Sequence, residues 1–309
     1  MDGRRYIGKY PSIGRLMGLV SVIFLLSCGG TQQSKSEDSA IQDEVLETAP
    51  AKRLLSYWDG FNFEIGAAQL PPDDTEQKFV DFIAMFPSVP DTVVRVAVQD
   101  MLAKASANPE TFSYFLGQYD HYLYDPNSPM RNEGYYEQVL RYLVKDANLP
   151  DTAQIKYQTQ LDMVRLNQVG MAATDFDYLG KDGQDHRMYE GAKNYKMLVF
   201  YDPTCTHCAA IIQDLAQTPA VNNCIKNGFL DIVAISLLPD KESWIGYQSH
   251  IPDSWVNGWD EKGAVIQEGL YNIRAYPTIF LLDKNNKVLL KDAPIEVTLR
   301  YLVKQGSHH

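Results

Sequence analysis

Met197-Leu198-Val199-Phe200-Tyr201-Asp202-Pro203-Thr204-Cys205-Thr206-His207-Cys208-Ala209 is the stretch that decides the fold. Its first five residues are an unbroken apolar run, the pattern of a short strand buried on both faces. Asp202-Pro203-Thr204 ends the run, because proline has no N–H to give a ladder. Cys205 then falls where a helix begins, and Ala209 to Leu215 is rich in helix formers. A helix start offers free N–H groups and partial positive charge, which favour a thiolate over a thiol. Two intervening residues let the sulfur of Cys208 return to Cys205 across one helical turn. Strand, turn and Cys-x-x-Cys at a helix start therefore predict a redox-active dithiol, with Cys205 outermost and Cys208 more shielded. The rival is half of a zinc site, which needs a second ligand pair. His207 lies between the cysteines and the other histidines are scattered.

Further along comes Ile273-Arg274-Ala275-Tyr276-Pro277-Thr278-Ile279-Phe280-Leu281-Leu282-Asp283, a proline loop followed by an apolar strand. Between the two loops, Phe229 to Leu237 reads as a second buried strand, and Asp240-Lys241-Glu242-Ser243-Trp244 opens a helix. Gly263 to Tyr271 reads as a further helix. Asp283 to Lys287 reads as a hairpin turn, and Ile295 to Lys304 as a last helix with Leu299, Tyr301, Leu302 and Val303 at helical spacing.

With these two loops in this order, the C-terminal part resembles the TlpA/ResA-like branch of thioredoxin-fold thiol–disulfide oxidoreductases, which are tethered in the bacterial envelope. Thr174 to Gly183 is similar to that branch's N-terminal β-hairpin, and the likeness spans roughly residues 170–305. The resemblance implies an α/β thioredoxin-like fold over 169–309. It implies Cys205 as the nucleophile and Cys208 as the resolving thiol, with Thr206 and His207 tuning the redox poise. It also implies a cis-proline loop, Tyr276, Pro277 and Thr278, offering backbone groups to a client chain. The redox-active disulfide Cys205–Cys208 is then the whole chemistry, with no other cofactor and no metal. The partners are thiol- or disulfide-containing envelope proteins and an upstream redox partner. An imidazolium at His207 would stabilise the reduced form and make the disulfide more oxidising; the plainer reading is a solvent-facing residue. Three positions depart from the pattern. Thr204 replaces a Trp, Val199 stands where many thioredoxins bury an acid, and Ile211 stands where ResA-like members carry a Glu. A different class of function also fits: a binding module, or a copper- or zinc-handling protein without redox turnover. Thioredoxin-fold copper chaperones usually space their cysteines by three residues, and here the spacing is two.

The N-terminus reads as a processing segment. Arg4, Arg5, Lys9 and Arg15 precede an apolar run from Leu16 to Leu26, too short for a comfortable membrane span. Leu25-Leu26-Ser27-Cys28-Gly29 is similar to a bacterial lipobox. Residues 1–27 are thus expected to be a signal peptide and Cys28 the lipidated N-terminus, anchoring a periplasm-facing envelope protein; an ordinary signal peptide is the alternative. Residues 28–49 are polar and acidic and read as a tether. Removing residues 1–27, which carry four basic residues and Asp2, takes the net charge from −11 to −14. Such acidity argues against nucleic acid as a partner.

Residues 50–168 show helical periodicity only and predict an all-α domain of four or five helices. Helices are expected over Thr75–Phe86, from a cap at Asp91, from Asn108-Pro109, over Asn132–Lys145, and from Asp151 to a close at Gly170. Tyr114, Tyr119, Tyr122, Tyr124, Tyr135, Tyr136 and Tyr142 are either a ligand-binding face or amphipathic core and rim. Tyr122 to Pro129 resembles helical domains of unknown function fused to thioredoxin-like domains in envelope lipoproteins. His121 and His186 read as solvated or hydrogen-bonded. Cys224 is left without a partner; either Val221 and Ile225 share a buried helix face with it, or it is exposed and accepts the disulfide from Cys208 or joins two chains.

Overall fold

The computed structural model describes residues 46–145, 147–191 and 195–306; the signal segment and Cys28 lie outside them. The first helices are α1 (Ala49–Leu55), α2 (Pro72–Ala84) and α3 (Asp91–Ala105). Helix α2 starts earlier than its periodicity predicts, because Pro72 suits a first helical position and Asp73 and Asp74 suit the positive end. Asp91 is not a cap. Pro90 holds the cap position, and Asp91 is the first helical residue, where its charge faces the same end of the dipole. Helix α4 (Pro109–Tyr119) is capped as expected, Asn108 Oδ1 accepting the N–H of Glu110 at 2.9 Å and of Thr111 at 3.3 Å.

A wide turn, Asp120–Tyr124, leads toward α5 (Glu133–Lys145) and α6 (Asp151–Arg165). Helix α6 ends at Arg165, with Leu166 as its extended cap, before Gly170. The aromatic core centres on Trp58, whose ring lies 5.1 to 5.7 Å from those of Phe61, Phe63, Phe82 and Phe115. None of the seven tyrosines is exposed, and Tyr124 stacks on buried Tyr136 at 4.4 Å. Core and rim is therefore their role.

The connection into the next half is tied down at every few residues. Asn167 Nδ2 donates to Leu270 O at 2.8 Å, and its Oδ1 accepts the N–H of Thr174 at 2.6 Å. The N–H of Gly170 donates to Val288 O, and that of Ala173 to Asn286 O, both at 2.8 Å. Gly170 adopts φ +90°, which a side chain would resist, so it serves this connection and not the helix end.

The second half is a seven-stranded mixed sheet with helices on its faces. Its strands are β1 (Asp177–Gly180), β2 (Asp185–Arg187), β3 (Tyr195–Tyr201), β4 (Leu230–Ser236), β5 (Val256–Trp259), β6 (Thr278–Asp283) and β7 (Val288–Lys291). They lie in the order β2-β1-β5-β4-β3-β6-β7. The buried runs β3, β4 and β6 are where the sequence places them; the hairpin β1–β2 begins in the expected Thr174–Gly183 stretch, but its second strand, Asp185–Arg187, lies beyond it. Strand β5 is not in the sequence reading: four residues including Asn257 and Gly258 carry too little pattern. Gly258 is required there, since a Cβ would collide with the ring of Tyr178.

The side chains of β3 alternate between two cores. Met197, Val199 and Tyr201 pack with Cys208, Ile212 and Leu215, while Leu198 and Phe200 pack with Phe176, Tyr271 and Phe280. The covering helices are α7 (Thr206–Gln217), α8 (Pro219–Lys226), α9 (Lys241–Tyr247), α10 (Ala264–Gln267) and α11 (Ile295–Gly306). Asp240 caps α9 by accepting the N–H of Glu242 at 3.1 Å. The helix expected over Gly263–Tyr271 shrinks to the single turn of α10, because Gly263 and Gly269 both take positive φ. Asp260 starts that turn, its carboxylate accepting the N–H groups of Ala264 at 3.0 Å and Val265 at 2.9 Å. Among the described residues no helix is long and apolar enough to cross a membrane.

Candidate redox site

Register places the site. Antiparallel pairing sets Phe200 of β3 opposite Thr278 of β6, so the loop ending at Pro277 comes beside the turn Asp202–Cys205. That turn is held locally. Asp202 Oδ1 accepts both the N–H and the hydroxyl of Thr204 at 2.7 Å, and Asp202 O accepts the N–H of Cys205 at 3.1 Å. The Asp202 carboxylate is thereby a turn cap, occupied by its neighbour.

Cys205 occupies the N-cap position of α7, with extended φ −80° and ψ 114°, and its Sγ accepts the N–H of Cys208 at 3.2 Å. On its other side Sγ lies 3.8 Å from the carbonyl oxygen of Tyr276. The Tyr276–Pro277 bond is cis. Both thiols are free, and their surroundings differ. Cys205 is half-buried, whereas Cys208 is fully enclosed in the core beneath α7. Burial pushes the Cys208 thiol far above its ordinary pKa, partly opposed by a hydrogen bond from the Asp202 backbone. Burial likewise raises the Tyr247 hydroxyl, helped by the nearby charges of Cys208 and Cys205.

The remaining expected residues fall at graded distances from the chemistry. Thr206 and His207 are exposed on the first turn of α7. Tyr276 and Pro277 are half-buried and face the site, but Thr278 is buried and its hydroxyl donates to Ala275 O at 2.7 Å. Thr278 thus shapes the loop from within. Val199 and Ile211 sit in apolar surroundings and leave no carboxylate at those two positions. Cys224 is half-buried on α8 beside buried Val221, packed against the sheet core, and burial raises its pKa. His186 lies between Asp182 at 3.0 Å and Glu190 at 3.4 Å. Among the described residues no group of three or more His, Cys, Asp or Glu is gathered to hold a metal ion.

One feature of the site has no local signature in the sequence. Arg274, two residues before Tyr276, is enclosed by charges from both halves. Its Nε lies 3.1 Å from Glu133 Oε1 and its Nη2 lies 2.8 Å from Asp292 Oδ2. Lys291 Nζ lies 2.7 Å from Glu133 Oε2, and Asn272 Nδ2 donates to Glu133 Oε1 at 2.7 Å. The Arg274 guanidinium also covers the ring of Tyr124 at 4.2 Å. The side chains of Arg274, Glu133, Asp292 and Lys291 are each at most 10% exposed. The proline loop is therefore clamped to the helical half by buried ions.

A thioredoxin-like protein from Bacteroides caccae, known from a crystal structure, superposes with a TM-score of 0.78 at 30% identity, over 84% of this chain and 95% of that one. The chain belongs to the thioredoxin-like proteins. Residues 183–292 match the family described as Thioredoxin-like domain, and residues 51–167 match one described as Domain of unknown function (DUF5106). A conserved protein of unknown function from Bacteroides fragilis is 38% identical over 44% of this chain and 98% of its own, with a TM-score of 0.43. The thioredoxin domain of a thiol-disulfide oxidoreductase from Bacteroides vulgatus is 16% identical over 44% of this chain and 96% of its own, with a TM-score of 0.38. No curated protein matches the chain. A thioredoxin-like sheet half preceded by an all-helical half is the fold class that the sequence predicts.

Proposed function

We propose that the protein is a thiol–disulfide oxidoreductase that exchanges disulfides with client proteins through Cys205 and Cys208. The observation that carries this reading is the asymmetry of the two sulfurs: Cys205 is accessible at a helix N-terminus, and Cys208 is enclosed one turn deeper. In the reducing direction, the Cys205 thiolate attacks a client disulfide. The client S–S bond breaks, a mixed disulfide forms, and the second client sulfur leaves as a thiolate that takes up a proton. The Cys208 sulfur then gives its proton to solvent and attacks Cys205 Sγ. This forms the Cys205–Cys208 disulfide and releases the client's other thiol, so two electrons pass from protein to client. The oxidising direction is the reverse. Burial raises the Cys208 pKa, so in the reduced protein this sulfur stays protonated and Cys205 is the one that meets the client.

The chain is further proposed to be an envelope lipoprotein held through Cys28, supported by the basic, apolar and Leu-Ser-Cys sequence of residues 4–28. Mass spectrometry of the mature N-terminus tests this; an unmodified N-terminus elsewhere overturns it. For the chemistry, the reduced protein should reduce insulin, Cys205→Ser should not, and Cys208→Ser should accumulate mixed disulfides. Failure of the wild-type protein to reduce any disulfide, with Cys205 unreactive toward iodoacetamide, would reject the reading.

A further inference from the structure

We propose that Glu133 and Arg274 are positioning residues for disulfide exchange: through them the helical half holds the loop that receives a polypeptide client beside Cys205. The inference rests on the oxidoreductase reading above and gives the helical half its part in it. Leu270 to Pro277 form neither helix nor strand, so no ladder fixes them. Their far end is paired, where Thr278 of β6 stands opposite Phe200 of β3. Their near end hangs on side chains. Glu133 Oε1, from α5, accepts Asn272 Nδ2 at 2.7 Å and lies 3.1 Å from Arg274 Nε. One carboxylate of the helical half thus grips two residues of the loop. Arg274 Nη2 lies 2.8 Å from Asp292 Oδ2, so the planar guanidinium joins acids from both halves, with the Tyr124 ring against its face at 4.2 Å.

Tyr276 comes two residues after Arg274, with its carbonyl oxygen 3.8 Å from Cys205 Sγ. Among the described residues this carbonyl accepts no backbone N–H. A mixed disulfide holds the partner sulfur about 2.05 Å from Cys205 Sγ. An extended polypeptide advances about 3.3 Å per residue, so a client N–H next to its cysteine falls within reach of that carbonyl. A small disulfide has no such N–H to offer. Displacing the loop therefore slows exchange with polypeptides, which must dock along it, and leaves exchange with small disulfides alone.

The test uses the full-length Cys208→Ser protein, in which Cys205 stops at the mixed disulfide. Cys205 displaces thiopyridone either from a short cysteine peptide carried as its 2-thiopyridyl disulfide or from dithiodipyridine itself. The leaving group is the same, and its absorbance gives both rates once the background of a Cys205→Ser protein is subtracted. Arg274→Lys keeps the charge but not the fork, and should slow the peptide about tenfold while dithiodipyridine stays within about twofold. Asn272→Ala leaves every ion paired and so guards against a fold lost with Arg274; it should slow the peptide about threefold. Lys291→Met removes Glu133's partner on β7 and should leave both rates within about twofold. Joint slowing of both disulfides, no slowing of either, or a Lys291→Met protein that matches Arg274→Lys overturns the inference. If Cys205 of the parent protein fails to react with dithiodipyridine, the oxidoreductase reading itself falls.

Discussion

Trp58, at the centre of the helical half, is surrounded by aromatic rings, and β3, at the centre of the sheet half, is covered on both faces by apolar side chains. Where the halves meet, Glu133, Arg274, Lys291 and Asp292 are buried instead. The difference separates two physical jobs. Apolar burial is non-directional and holds each half together. A buried ion tolerates one geometry, since leaving its partner unpaired costs far more than the pair gains. The seam therefore adds little net stability and fixes where the helical half stands beside the proline loop.

Glu133→Leu should break this contrast most strongly. It leaves Lys291 and Arg274 buried without their shared carboxylate and should cost about 3–5 kcal/mol. Calorimetry should then show two separated unfolding transitions. A single transition with a loss under about 1 kcal/mol would mean that apolar contacts carry the seam.

On the sheet side, His207→Ala should lower the redox potential of the dithiol by about 30 mV, equivalent to about 1.4 kcal/mol for a two-electron couple. An imidazolium beside the Cys205 thiolate would favour the reduced form; equilibration with glutathione measures the potential, and an unchanged value would make His207 a bystander. Cys224→Ala should cost about 1 kcal/mol in packing and leave insulin reduction intact. A Cys224-linked dimer on a non-reducing gel would contradict that assignment.

The smallest effect belongs to Glu137, the ionic centre of the helical half. Burial alone would raise its carboxyl, but hydrogen bonds and charge from Arg165, Arg141 and Gln168 hold it below its ordinary value. A carboxyl that is more acidic when folded stabilises the fold above about pH 4.3, and that contribution is lost as pH falls through the lower folded value. Glu137→Gln should thus flatten the loss of stability below about pH 5, as urea titrations would show. An unchanged acid slope would remove Glu137 from the account.

What the sequence discloses follows the same division. Cys205, Cys208, Tyr276 and Pro277 are legible because they stand in two short loops of distinctive residue type, which the fold brings side by side. Strands β3, β4 and β6 are legible because they are buried on both faces. Strand β5 is hidden by Asn257 and Gly258, and α10 is overestimated because apolar spacing says nothing of the positive φ at Gly263 and Gly269. Asp91 has the right residue type for a cap but stands one position inside the helix, behind Pro90. The ionic seam is illegible for a different reason. Its members are spread from Arg131 to Asp292, and each alone looks like an ordinary surface charge.

The tied connection from Asn167 to Thr174 has a mechanical consequence. Peptide N–H groups and side-chain amides pin it to Leu270, Asn286 and Val288, so it offers no slack and no hinge about which one half could swing. Under the proposed disulfide exchange, a client reaching Cys205 would meet two halves whose spacing is set before it arrives. The conformational adjustment needed for docking would then fall on the client chain, which would favour partners that are still unfolded or carry their cysteine on a loose loop.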